Sequence, residues 1–211
     1  PEESGMVRFI NWVNSQQTPE EIHREILVDC PIPHPTFFLR RQTLLNAGLY
    51  AETDEPEDYS LVLRLDAAGR RMGKVPEELV VWTDRPDRAS RSLPQYAPER
   101  FREMKARHLR QGVLADGRRF LLWGAGRVGK HLLRELQRQG MSPAAVVDVD
   151  PRKIGQVVHG CPVIAPEAIP SIRAGTWPIV CAVGAPGARE DIRRGLNAMG
   201  LREGTDYIFA A

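Results

Sequence analysis

The chain has 211 residues, with 42% hydrophobic and 27% charged side chains and a formal net charge of +2. That apolar share excludes wholesale disorder, and the length allows one large domain or two small ones. No run of about 18 apolar residues is present, so no transmembrane helix is encoded, and three well-separated cysteines (Cys30, Cys161, Cys181) fit a reducing, cytoplasmic setting better than a disulfide framework.

In chain order, Thr18-Pro19 supplies a cap and a first-turn proline for a helix over Glu20–Leu27. Pro31–Pro35 is a helix-breaking extended stretch, and Thr36–Leu39 (TFFL) reads as a short strand. Arg40–Ala47 reads as a helix closed by Gly48 at its C′ position. The acidic stretch Glu52–Asp58 then leads into a helix over Tyr59–Ala68. Leu61, Leu65 and Ala68 share a face there, with Leu63 offset. Leu79–Trp82 (LVVW) reads as a strand and Pro98–Leu109 as a charged helix. The glycines and the Asp-Gly pair of 111–117 mark a domain junction, giving domains 1–116 and 117–211. Up to Asp116 acids exceed bases by three, and beyond it bases exceed acids by five.

The second domain opens with an apolar run, Arg119–Trp123, followed by Gly124-Ala125-Gly126-Arg127-Val128-Gly129 and a helix carrying Leu132, Leu133 and Leu136. This is GxGxxG between a strand and a helix. The first glycine permits the tight turn, the second lets a phosphate approach the backbone, and the third lets helix and strand pack closely. The next strand, Ala144–Val149, carries Asp148, 24 residues after Gly124, near where dinucleotide sites place a ribose-binding acid. A solvated strand end is the competing reading of Asp148, and backbone geometry alone that of the glycines. Arg152 and Lys153 follow in a turn as two cations able to face a phosphate. Strands at Pro178–Val183 and Asp206–Ala210 flank a second glycine-rich turn ending at Arg189, a further cofactor-binding candidate. The βα alternation predicts an α/β fold with a small doubly wound parallel sheet.

Glu57 and Asp58 are the chemically interesting pair of the first half. At a helix start the dipole favours the ionised carboxylate and lowers its pKa, which suits a general base. Capping of the helix by Asp58 is the alternative, and on chemistry alone the stronger one. The other histidines (His23, His108, His131, His159) show no paired ligand spacing.

Two resemblances bear on function. LLWGAGRVGK, VVDVDPRKIG, GCPVI and CAVGAPGAREDI resemble the short Rossmann-like modules attached to bacterial sugar-modifying enzymes. That resemblance implies nucleotide or nucleotide-sugar binding around Gly124, Gly126 and Asp148, without chemistry there; Gly129 stands as a cofactor-binding candidate from the glycine spacing. PHPTFFLRRQTLLNAGLY, EDYSLVLRLDAAGRRMGKVPEELVVW and RASRSLPQY resemble the C-terminal half of a family 2 inverting glycosyltransferase of GT-A fold. By that match the first half is a partial GT-A-like α/β domain. Asp58 would be the general base with Glu57 beside it, and His34, Arg64 and Trp82 would line the acceptor cleft.

The expectation is then a glycosyltransferase fragment, inactive alone, whose nucleotide-sugar donor site and any divalent metal belong to a half upstream of Pro1. Its partners would be a nucleotide sugar and a hydroxyl acceptor. A homo-oligomer is expected, a membrane surface is left open though not encoded, and nucleic acid is excluded for want of a basic, aromatic-interleaved stripe. A non-catalytic nucleotide-binding or assembly module is the first rival, and an NAD-dependent oxidoreductase the second.

Overall fold

The computed structural model describes the chain apart from residues 1–4, 51–53, 82, 84–87 and 174–176, and the side chains of residues 89 and 116. It divides into two compact units, Pro1–Met104 and Lys105–Ala211.

In the first unit the described residues form helices and 3-10 turns but no strand. The helices are α1 (Gly5–Ser15), α2 (Pro19–Glu25), α3 (Arg41–Asn46), α4 (Glu57–Ala67), α5 (Ala89–Ser92) and the start of α6 (Pro98–Gln111). α2 begins with a full capping box. Thr18 accepts from the Glu21 amide at 3.2 Å, Glu21 accepts from the Thr18 amide at 2.9 Å, and Pro19 occupies the first turn.

Neither strand expected in this half forms among the described residues. Pro33 and Pro35 remove backbone donors and preset φ, so the chain closes on itself as a 3-10 turn over His34–Thr36. The Thr36 amide and hydroxyl both donate to Pro33 O, at 2.9 and 2.7 Å. Residues 79–81 make no ladder, and Val81 is 96% exposed. Phe38 also lies fully in solvent.

The core of this unit gathers Val13, Ile22, Ile26 and Leu27 with Tyr59, Leu61, Val62, Leu63 and Leu65 of α4. Leu63, offset in the sequence reading, is buried with the rest, so α4 is covered around most of its girth. The Tyr59 hydroxyl donates to Ile26 O at 2.7 Å, linking α4 to the end of α2.

The division falls inside α6 rather than after Asp116. Gly112 ends that helix, its amide donating to His108 O at 3.0 Å, and so marks a helix terminus rather than a linker. Beyond the division, Ala106, Leu109 and Leu114 are buried, and Lys105 Nζ donates to Ala210 O at 3.1 Å.

The second unit is a mixed α/β layer structure compatible with a Rossmann-like fold. Its elements are β1 (Leu121–Trp123), α7 (Arg127–Arg138), β2 (Ala145–Val147), β3 (Val157–Val158), β4 (Cys161–Ile164), α8 (Ile169–Ile172), β5 (Ile179–Cys181), α9 (Ala188–Ala198) and β6 (Tyr207–Phe209). The sheet order is β3-β4-β2-β1-β5-β6. Every pairing is parallel except the β3–β4 hairpin, and Leu122 sits opposite Val146 on one side and Val180 on the other. β1, β2 and β5 are buried at every residue, as continuous apolar runs in a covered parallel sheet should be.

The β3–β4 hairpin escapes the sequence reading because it is two to four residues long. It turns through His159 and Gly160, both at positive φ. Among the described residues no helix is long and apolar enough to cross a membrane.

Candidate functional site

The sheet order changes direction at β1. The chain leaves β1 for β2 on one side and later places β5 on the other. In open α/β sheets this switch leaves a crevice outside the carboxyl ends of the two strands, where ligands bind. Gly124–Gly129 follows β1 at that edge, and 182–187 follows β5.

The three glycines stand there for different reasons. Gly124 has φ +124, and a Cβ on it would lie 2.5 Å from Ala182 O. A Cβ on Gly129 would lie 1.8 Å from Gly124 O, so α7 can pack on the turn only with glycine at this position. Gly126 has an ordinary φ of −83°, and a Cβ there would meet nothing within 4 Å. Neither conformation nor packing asks for a glycine at 126. The site it leaves bare is the N-cap of α7, where no side chain caps the helix and no acidic residue occupies the first turn. Free backbone N–H groups and the positive end of the helix dipole are left for an anion.

Asp148, directly after β2, is 7% exposed. Its Oδ2 accepts from the Ala125 amide at 2.8 Å, and its Oδ1 accepts from the Asp150 amide at 2.9 Å. Lys153 Nζ lies 3.1 and 3.3 Å from the two oxygens. Arg152 turns back onto Asp150 through two side-chain bonds of 3.0 Å, which hold the Asp150 carboxyl down at about 2. The two cations of this turn therefore serve neighbouring carboxylates. Arg189 is half-buried in the first turn of α9.

In the first unit the structure brings His34, Glu57 and Asp58 together. His34 Nε2 is 3.1 Å from the Tyr50 hydroxyl, and its Nδ1 is 3.7 Å from Glu57 Oε1. The Tyr96 hydroxyl reaches both Glu57 oxygens at 2.9 Å. The reading from sequence includes Tyr96 only as the last residue of RASRSLPQY and gives it no role, because 39 residues separate it from Glu57.

Asp58 is not the helix cap, a position taken by Pro56. It sits one residue inside α4, and its Oδ1 accepts from the Tyr59 amide at 2.7 Å. Its carboxyl is raised above the usual aspartate range, against the expected lowering. Burial dominates, the Tyr59 bond opposes it, and the charge of Glu57 adds to it. Asp58 lines a cavity of ≈360 Å³ with Phe9, Cys30, Tyr59, Tyr96 and Phe101, and burial also raises the Cys30 thiol.

Arg64 takes no part in that cavity. It donates to Ala47 O and, at 2.7 Å, to Leu49 O, holding the turn after α3 where Gly48 and Leu49 have positive φ. Trp82 lies outside the described residues. Among the described residues no three His, Cys, Asp or Glu side chains form a metal-ligand group.

No family model and no curated protein matches the chain. Among solved structures, a Rex-family repressor is similar over 52% of this chain and 59% of its own, at 16% identity and a TM-score of 0.35. The chain thus spans about three-fifths of that protein. A repressor of the same name in complex with β-NADH aligns over 99% of this chain and 87% of its own, at 13% identity and TM-score 0.34. Its complex with β-NAD+ and operator DNA aligns over 99% and 86%, at 13% and 0.35. These figures are too low to assign the chain to that family.

Two expectations are corrected against these findings. The chain is not assigned as a sugar-transferring enzyme with Asp58 as its base. The similar structures reported above carry the names of repressors, and the described residues of the first unit form neither of the two strands that reading expects. The exclusion of nucleic acid is withdrawn as well, since one of these structures holds operator DNA.

Proposed function

We propose that the second unit is a nucleotide-binding module that seats the diphosphate of a nucleotide or nucleotide sugar on the turn Gly124–Gly129, in the crevice beside β1 and β5. The observation that carries this reading is the bare position at Gly126. Gly124 and Gly129 are accounted for by the protein's own backbone, whereas Gly126 is accounted for by neither φ nor a neighbour. A phosphate approaching the N-terminus of α7 supplies the missing reason, because a side chain at 126 would stand where its oxygens meet the amides.

The test is calorimetric titration of the chain with UDP-sugars, ADP, NAD+ and NADH, repeated with Gly126→Ala. Diphosphate-dependent binding that Gly126→Ala weakens by about tenfold or more is expected, the loss of roughly one charge-assisted hydrogen bond. Failure of every nucleotide to bind the wild-type chain would refute it.

A further inference from the structure

Asp148 stands where dinucleotide sites place the acid that holds a ribose, yet its contacts leave nothing for a ribose. An ionised carboxylate offers about four lone-pair positions. At Asp148 the Ala125 amide, the Asp150 amide and a bifurcated approach of Lys153 Nζ to both oxygens fill them, and the side chain is 9% exposed. Resting on the nucleotide reading above, we infer that Asp148 is a positioning residue of the phosphate turn and not a ribose ligand.

Its action runs through Ala125. The Ala125 amide points inward to the carboxylate, and Ala125 is 1% exposed, so the residue between the first two glycines is pinned beneath the turn. Pinning it there fixes the direction in which the backbone leaves Gly124 and presents Gly126 and the first amides of α7 to solvent. A charged acceptor makes this tie about twice as strong as a neutral one. Lys153 balances the charge of Asp148, so a bare carboxylate does not oppose the incoming anion. The brace spans 23 residues of sequence and joins the turn after β1 to the turn after β2.

The experiment measures Kd for inorganic pyrophosphate and for ADP and UDP on the full chain, in wild type, Asp148→Ala and Asp148→Asn. In parallel, hydrogen exchange of the Ala125 amide is followed by NMR without ligand. The brace requires Asp148→Ala to weaken pyrophosphate and nucleoside diphosphates by the same factor, about tenfold, the worth of one hydrogen bond to a charged group. It also requires faster exchange at Ala125. Asp148→Asn retains an acceptor for Ala125, and should hold pyrophosphate within about threefold of wild type. If Asp148→Ala does not fold, Asp148→Asn still decides, because the brace keeps pyrophosphate and nucleotide affinities both within about threefold of wild type, whereas a ribose ligand would lose nucleotide affinity alone.

Loss of nucleotide affinity with pyrophosphate binding intact would make Asp148 a ribose ligand and overturn the inference. Unchanged Ala125 exchange in a folded Asp148→Ala would overturn it whatever the ligands do. If neither pyrophosphate nor any nucleotide binds the wild type, the functional reading fails, and accelerated Ala125 exchange would still uphold the brace as a property of the turn.

Discussion

The two units of this chain handle glycine, charge and burial in opposite ways. In the second unit the decisive positions lie within six residues, Gly124 to Gly129, between a buried strand and an amphipathic helix, and backbone sterics dictate two of the three glycines. In the first unit the polar cluster is assembled from His34, Tyr50, Glu57, Asp58 and Tyr96, which come from separate turns and helix starts spread over about 60 residues. Burial, not the helix dipole, sets the behaviour of Asp58 there. A site written in consecutive residues takes its outline from local sterics and needs only a few distant contacts, here Ala182 and Asp148, to complete it. A site drawn from distant turns takes its electrostatics from how the unit closes around it.

The sharpest way to break this contrast is Gly129→Ala. A methyl 1.8 Å from Gly124 O forces backbone movement, and a loss of about 3 kcal/mol or more is expected in chemical denaturation. Gly126→Ala, three residues away, should change stability by no more than about 0.5 kcal/mol, its effect appearing in ligand affinity alone. Equal destabilisation by the two substitutions would abolish the distinction between packing and ligand glycines.

In the first unit Tyr59→Phe leaves Ile26 O without its buried donor. It should cost about 1–3 kcal/mol, measured as a shift in the denaturation midpoint.

Asp58→Asn should act in the other direction. Because burial raises the folded carboxyl above its unfolded value, the native state holds its proton to higher pH, and stability falls as pH rises through the raised value. Asn keeps an acceptor for the Tyr59 amide and removes the buried charge. The variant should therefore be slightly more stable than wild type at neutral pH and indistinguishable from it below the ordinary aspartate range, about 4.

The smallest effect is at His23, whose ring nitrogen lies 2.5 Å from Asp66 Oδ1. That hydrogen bond raises the imidazole above its usual range, with burial opposing it. Its contribution is complete below the unfolded value of about 6.5 and disappears as pH rises through the raised folded one. His23→Gln should therefore lower the melting temperature at about pH 5.5 and leave it unchanged at about pH 8.5.

Much of the second unit was legible. β1, β2, β5 and β6 fall inside the apolar runs read as strands, and the turn before α7 is where the glycine spacing puts it. The hairpin of β3 and β4 was not, since two- and four-residue strands carry no periodicity to read. In the first unit α2 was announced by Thr18-Pro19 and α4 by its leucines, but the TFFL and LVVW runs were misleading. An apolar β-branched or aromatic run becomes a strand only when a neighbour supplies the ladder, and among the described residues none does. The two compact units divide at Met104–Lys105, whereas the glycines of 111–117 read as a junction in sequence, where a glycine ending a helix and a glycine in a linker look alike.

Sequence by itself determined the strand–turn–helix of the phosphate turn, the cap and first-turn proline of α2 and the parallel character of the second unit. Each rests on residues a few positions apart, acting through local sterics and hydrogen bonds. Only the tertiary structure decided that Asp148 faces Ala125 and Lys153, that Arg64 holds a turn, and that Asp58 is raised by burial. A carboxylate takes its role from the donors and the solvent that surround it, and folding brings those together from distant parts of the chain.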